Sequence, residues 1–128
     1  MVALGLSFAA MGLGANPPGT AAAVADGGVE LAIVTMQFDT AEPGSLLGVL
    51  SKYVVLTRME PGCRNVDLCS SYTHPGRYLL IQKWDSQEAQ RRHFDSPIMV
   101  EMAQSCNGLL AAPPHIDLWD GPSAHDLR

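Results

Sequence analysis

Along residues 30–121 the spacing of apolar side chains alternates between the two-residue rhythm of strands and the three-to-four-residue rhythm of helices. Leu31-Ala-Ile-Val-Thr-Met-Gln-Phe38 is apolar and rich in β-branched residues. The cluster Asp39-Thr-Ala-Glu-Pro-Gly44 ends it, so the first element is a strand. From Ser45 to Met59, Leu46, Leu47, Leu50, Tyr53, Val54 and Thr57 fall at helical spacing, and Pro61-Gly62 stops the helix after about four turns. Asn65 to Tyr72 then alternates, with Val66, Leu68, Ser70 and Tyr72 on one side. Thr73-His-Pro-Gly76 supplies a turn, and Tyr78 to Trp84 is the partner strand. Because Leu79, Leu80 and Ile81 are consecutive, that strand needs cover on both faces, helices on one and a second subunit on the other.

Asp85-Ser-Gln-Glu88 has the spacing of a capping box, with Asp85 as N-cap and Glu88 at N3, and opens a polar helix from Ser86 to Phe94. Ser96-Pro97 repeats the entry signal with proline in the first turn. Ile98, Met102 and Cys106 then form a stripe that ends at Asn107-Gly108. After Pro113-Pro114, His115 to Trp119 alternates as a last short strand. The order β-α-β-β-α(α)-β is the split βαβ arrangement of a ferredoxin-like α+β protomer with an antiparallel sheet.

The first twenty-eight residues differ in kind, since fourteen are Ala or Gly and no Lys or Arg occurs before Lys52. The chain therefore divides into an Ala/Gly-rich extension, residues 1–29, one domain, residues 30–121, and a polar tail, residues 122–128. Val2 to Ala15 is apolar but shorter than the about 20 residues of a membrane span, and Leu4 to Met11 suits a short helix packed on the domain. Ala23-Val24-Ala25 before Asp26 has the look of an export cleavage site without a basic flank. The expected location is the cytoplasm, with export through a weak N-terminal signal as the alternative.

The chain's 128 residues suit a single core that gains from dimer formation. A net charge of −5 and scattered cations leave no footprint for nucleic acid or an anionic membrane. Cys63, Cys69 and Cys106 are odd in number and form no CxxC pair, so they are expected as reduced, mostly buried thiols, not as a disulfide framework or zinc ligands.

No phosphate-cradling glycine loop, HExxH, GxSxG or EF-hand pattern is present. Trp84 at a strand end and His93 in the helix that follows stand out: a flat indole wall and an imidazole suited to one pocket. Eight residues of helix travel about 12 Å, which puts His93 over the sheet rather than over Trp84 itself. The same spacing also suits a core tryptophan and a hydrogen-bonded helix histidine. His115 and Asp117 share a strand face as a metal pair would, but no third ligand is indicated.

The ordered set Glu60-Pro-Gly-Cys63, His74-Pro-Gly-Arg-Tyr78, Trp84-Asp-Ser-Gln-Glu-Ala89, His93 and Ser96-Pro97 resembles the antibiotic biosynthesis monooxygenase (ABM) family over about residues 30–120. The resemblance implies a dimeric α+β barrel, in which the open sheet face of one protomer packs on a second and each protomer holds a pocket between sheet and helices. It carries over Trp84 and His93 as pocket residues, and it carries over an amide near the end of strand one, here Gln37. Two positions depart from the family pattern: Val66 stands where many members have Tyr, and Gln82 stands two before the tryptophan where many have Glu.

The expected function is a cofactor-independent monooxygenase that oxidises a phenolic, hydroquinone or polyketide-type aromatic with O2, with no metal or other cofactor. His93, with an ordinary pKa near 6.5, suits removal of the phenolic proton. Trp84 would stack on the ring, and Gln37 with Tyr53 and Tyr72 would bind its oxygens. Two alternatives keep the fold: a haem-degrading enzyme with His93 on the iron, and a non-catalytic dimeric domain that binds a small ligand.

Overall fold

The computed structural model describes residues 31–121. Its elements are β1 (Leu31–Asp39), α1 (Pro43–Arg58), β2 (Cys63–Ser70), β3 (Arg77–Trp84), α2 (Gln87–Phe94), α3 (Pro97–Ser105) and β4 (His115–Gly121). The expected N-terminal extension, with its packed helix and export site, and the C-terminal tail lie outside the described residues. The strands form one sheet in the order β2-β3-β1-β4, and every neighbouring pair is antiparallel. This is the ferredoxin-like α+β fold, with the two most apolar strands in the middle.

Strand alternation decides what faces the helices. On β1 the buried positions are Val34, Met36 and Phe38, and on β3 they are Tyr78, Leu80, Gln82 and Trp84. Leu46, Leu50, Tyr53, Val54 and Thr57 of α1, and Met99, Met102 and Ala103 of α3, close the core from above. Each fully buried large apolar side chain of this set is worth roughly 1.5–3 kcal/mol relative to exposure. The other sheet face carries Thr35 and Gln37 of β1, Leu79 and Ile81 of β3 and Asp117 and Trp119 of β4, and no helix among the described residues lies over it. Leu80 is thus buried as expected, whereas Leu79 and Ile81 are only half-buried within one chain.

Several boundaries move for local reasons. Helix α1 begins at Pro43, two residues early, because a proline in the first turn loses no helical hydrogen bond. Ser86, not Asp85, caps α2, its hydroxyl accepting from Ala89 N–H at 3.1 Å. The Asp85 carboxylate is drawn instead to Arg64 at 2.5 Å. Strand β2 stops at Ser70, where the Ser71 hydroxyl accepts from the N–H groups of Thr73 and His74 and turns the chain out of the sheet. Gly62 has φ +85 and a Cβ there would lie 2.7 Å from Ala89 Cβ, so only glycine lets the turn after α1 meet α2.

Candidate active site

Three elements aim polar side chains into the same apolar space. Strand β3 places Gln82 and Trp84 on its inner face, two residues apart, and neither exposes any surface. Helix α1 presents Tyr53 one turn before Thr57, and α2 presents His93 beside Phe94. The Trp84 indole and the His93 ring are stacked, with centroids 4.7 Å apart and planes 29° from parallel. The helix length between them had suggested separation, but each ring reaches away from its own backbone and the two meet.

Hydrogen bonds join these side chains in series. Trp84 Nε1 donates to Gln82 Oε1 at 2.9 Å, and Gln82 Nε2 donates to the Tyr53 hydroxyl at 2.6 Å. The Tyr53 hydroxyl lies 2.5 Å from His93 Nε2, and His93 Nδ1 bonds the Glu60 carboxylate. Weaker sulfur contacts flank the series, from Gln82 Nε2 to Met36 Sδ at 3.5 Å and from Tyr53 to Met99 Sδ at 3.7 Å. Glu60 is the member nearest solvent, its side chain 21% exposed beside a His93 side chain with no exposure.

Burial dominates the electrostatics. It lowers the His93 pKa below its ordinary 6.5, against the opposing pull of Glu60, and so leaves the imidazole neutral at neutral pH. It also raises the Tyr53 phenol far above its ordinary value. A pocket of about 220 Å³ opens on this end of the series, lined by Glu60, Pro61, Trp84, Ala89, Arg92 and His93. A larger groove of about 380 Å³ runs between α1 and α3. Its walls include Val49, Leu56, Ile98 and Met102, Tyr53 reaches it from inside, and Lys52 and Glu101, paired at 2.5 Å, stand at its rim.

Of the residues expected in the site, the fold brings together Trp84, His93 and Tyr53. It does not bring Gln37 there: Met36 and Phe38 occupy the core face of β1, so Gln37 points to the opposite face, in register with Leu79 and His115. Tyr72 lies past the end of β2 and is fully exposed. Gln82 and Glu60 were not anticipated as site residues. The signal for Gln82 was available, since it is the one amide on the inner face of β3. Glu60, just past a helix end, has no periodic signature.

His115 and Asp117 do contact one another, at 3.0 Å, on the exposed edge strand, and no group of three metal-binding side chains occurs among the described residues. Against the expectation of mostly buried thiols, only Cys106 is buried, with its thiol pushed up to about 12; Cys63 is half-buried, and Cys69, in register with Leu79, is exposed on the sheet face away from the helices. Haem ligation does not fit His93 as placed, because Tyr53 and Glu60 occupy its two ring nitrogens. No helix among the described residues is long and apolar enough to cross a membrane.

The fold and the cluster together define a small α+β domain with a hydrogen-bonded polar series sealed between sheet and helices. The model of the antibiotic biosynthesis monooxygenase family matches residues 32–105, and the chain belongs to that family. Among solved structures it is similar to Rv0793 from Mycobacterium tuberculosis, with 25% identity and a TM-score of 0.65 over 70% of this chain and 92% of that one. It is similar in fold to protein SO0527 from Shewanella oneidensis, with 19% identity and a TM-score of 0.66 over 71% of this chain and 90% of that one. SnoaB, a cofactor-independent oxygenase from Streptomyces nogalater, shares the fold at 19% identity and a TM-score of 0.62 over 71% of this chain and 91% of that one. No curated protein matches the chain.

Proposed function

We propose that the protein is a cofactor-independent monooxygenase that oxidises a phenolic or hydroquinone-type aromatic with O2. The observation that carries this reading is the buried, neutral His93, whose Nε2 faces the Tyr53 hydroxyl while Glu60 holds Nδ1. Such an imidazole is a proton acceptor of fixed tautomer in a dry setting. Membership of the ABM family and the likeness to a cofactor-independent oxygenase support it.

The α1/α3 groove, at about 380 Å³, falls within the size of small-molecule sites and is mostly apolar, as an aromatic ring requires. The substrate phenol donates to the Tyr53 oxygen in place of the Thr57 hydroxyl, and the proton of Tyr53 passes to His93 Nε2. The phenolate then gives one electron to O2, and the phenoxyl radical and superoxide join at a ring carbon that still bears hydrogen. His93 returns its proton to the peroxide, and loss of that carbon's hydrogen with hydroxide, as water, leaves the quinone. The sum is substrate plus O2 giving quinone plus water. Trp84 stacks on His93 in place of the substrate and fixes the base.

The uncovered sheet face, with Leu79, Ile81 and Trp119, packs on a second copy, so the solution mass is about twice the 13.7 kDa of one chain. Sedimentation equilibrium checks this, and a monomer at micromolar concentration would refute it. The unpaired thiols, Cys69 among them in the open, suit the reducing cytoplasm. The reaction is tested with ¹⁸O2 and a panel of hydroquinones and anthrones. One labelled atom in the quinone and one in water are expected, and quinone without label would mean simple dehydrogenation.

A further inference from the structure

We propose that Gln82 is a positioning residue: held by the Trp84 indole, its amide sets the direction in which Tyr53 points its proton, and so keeps His93 Nε2 an acceptor. Read from the tryptophan, the series assigns donor and acceptor at each step. An indole N–H only donates, so the Gln82 atom 2.9 Å away is the carbonyl oxygen. The other end of the amide is therefore NH2, which only donates, and Tyr53 must receive it at 2.6 Å. The single phenolic proton is then directed away from Gln82, toward His93 Nε2 at 2.5 Å; the thioether of Met99, at 3.7 Å, and the hydroxyl of Thr57, one turn along α1, are the weaker partners beside it. Nε2 thus carries no hydrogen, and the ring proton sits on Nδ1, facing Glu60. A carboxylate only accepts, so the series reaches the same tautomer from its other end.

A carboxylate at position 82 would undo this polarity. It would accept from Trp84 and from Tyr53, and the phenolic proton would turn away from His93. The imidazole, now between two carboxylates, would take up a proton and donate it from Nε2 to the tyrosine oxygen. A base already loaded cannot remove a proton from substrate. The charged and titratable groups around His93 are Glu60 in the turn after α1, Tyr53 from α1 and Arg92 on its own helix, with Cys63 at the start of β2 acting on Tyr53. Strand β3 and helix α3 offer the uncharged Gln82, Trp84 and Met99. Arg92, drawn to Glu88 at 3.2 Å, opposes protonation of the ring only from the solvent side.

The consequence for turnover rests on the reading of His93 as the proton acceptor, whereas the tautomer does not, and the test separates the two. The full chain, labelled with ¹⁵N, is examined by long-range ¹H–¹⁵N correlation of the His93 ring as pH is varied. Wild type should show a neutral ring with its proton on Nδ1 at pH about 7. Gln82→Glu should show both nitrogens protonated there, a midpoint raised by about one pH unit or more, and oxygen uptake reduced about tenfold that recovers toward alkaline pH. A residue needed only for folding would lower uptake without changing the ring spectrum or the pH profile.

Glu60→Ala, at the solvent end, gives a second readout that does not depend on burying a carboxylate. Tyr53 still donates to Nε2 in that variant, so the proton should stay on Nδ1. A proton on Nε2 in wild type or in Glu60→Ala overturns the proposal, as does a Gln82→Glu ring that titrates like wild type while the ¹³C shift of the introduced carboxyl shows it ionised. A ring that behaves as stated in a protein without oxygen uptake upholds the positioning role and overturns the oxygenase reading instead.

Discussion

His93 is fully enclosed, and its pKa is lowered because burial outweighs the carboxylate beside it. In the unfolded chain the same ring titrates near 6.5, so just below that pH the unfolded state binds more protons than the folded one, and stability falls as pH falls. Above about 6.5 the ring is neutral in both states and contributes no slope. Thermal melts between pH about 7.5 and 5.5 should therefore show a falling Tm for wild type and a flatter profile for His93→Gln. Parallel profiles would mean that His93 is not held neutral by burial. At this scale the sequence was partly readable. Trp84 and His93 stand out by their placement at a strand end and in the following helix as well as by the family pattern, and Tyr53 is named as a binder of substrate oxygens. Gln37 and Tyr72 were misplaced for different reasons: one is turned outward by strand parity, the other left outside a strand that a serine turn ends early. Gln82, read only as a missing carboxylate, turned out to be a hydrogen-bonding member of the site.

The elements hold these side chains through short, specific joints. The turn after α1 brings Glu60 to His93, and it does so through Gly62, whose N-terminal neighbours end the helix and whose carbonyl accepts from Asp85 N–H at 2.8 Å. With φ +85 and a Cβ only 2.7 Å from Ala89, Gly62→Ala meets both a left-handed backbone penalty of about 1–2 kcal/mol and a clash with α2. Its urea midpoint should fall by the equivalent of at least about 1 kcal/mol at unchanged m-value, and a midpoint equal to wild type would show that the turn relaxes freely. Element type was legible almost throughout, because the period of the apolar residues changes cleanly between strands and helices. Ends were less so. Proline extended α1 backward, a serine hydroxyl replaced the expected aspartate cap on α2, and β4 ran on to Gly121 by pairing with Leu31.

At the scale of the whole molecule, the described helices cover one face of the sheet and leave the other open, and the consecutive Leu79, Leu80 and Ile81 expose this in the sequence alone. The covered face builds the site: β3 supplies Gln82 and Trp84, α1 supplies Tyr53, and α2 closes His93 over them. The α1/α3 groove reaches Tyr53, and in the proposed reaction it admits the aromatic substrate whose proton the series takes. No single segment contains this arrangement, which is why the sequence yielded its two rings but not their linkage. The most direct test is oxygen uptake with a panel of hydroquinones and anthrones, comparing wild type with His93→Ala and subtracting autoxidation. Uptake that needs the protein, and that falls about 10²–10⁴-fold in the variant while substrate binding persists, is the result expected of a general base. An equal rate in wild type and His93→Ala would contradict the account.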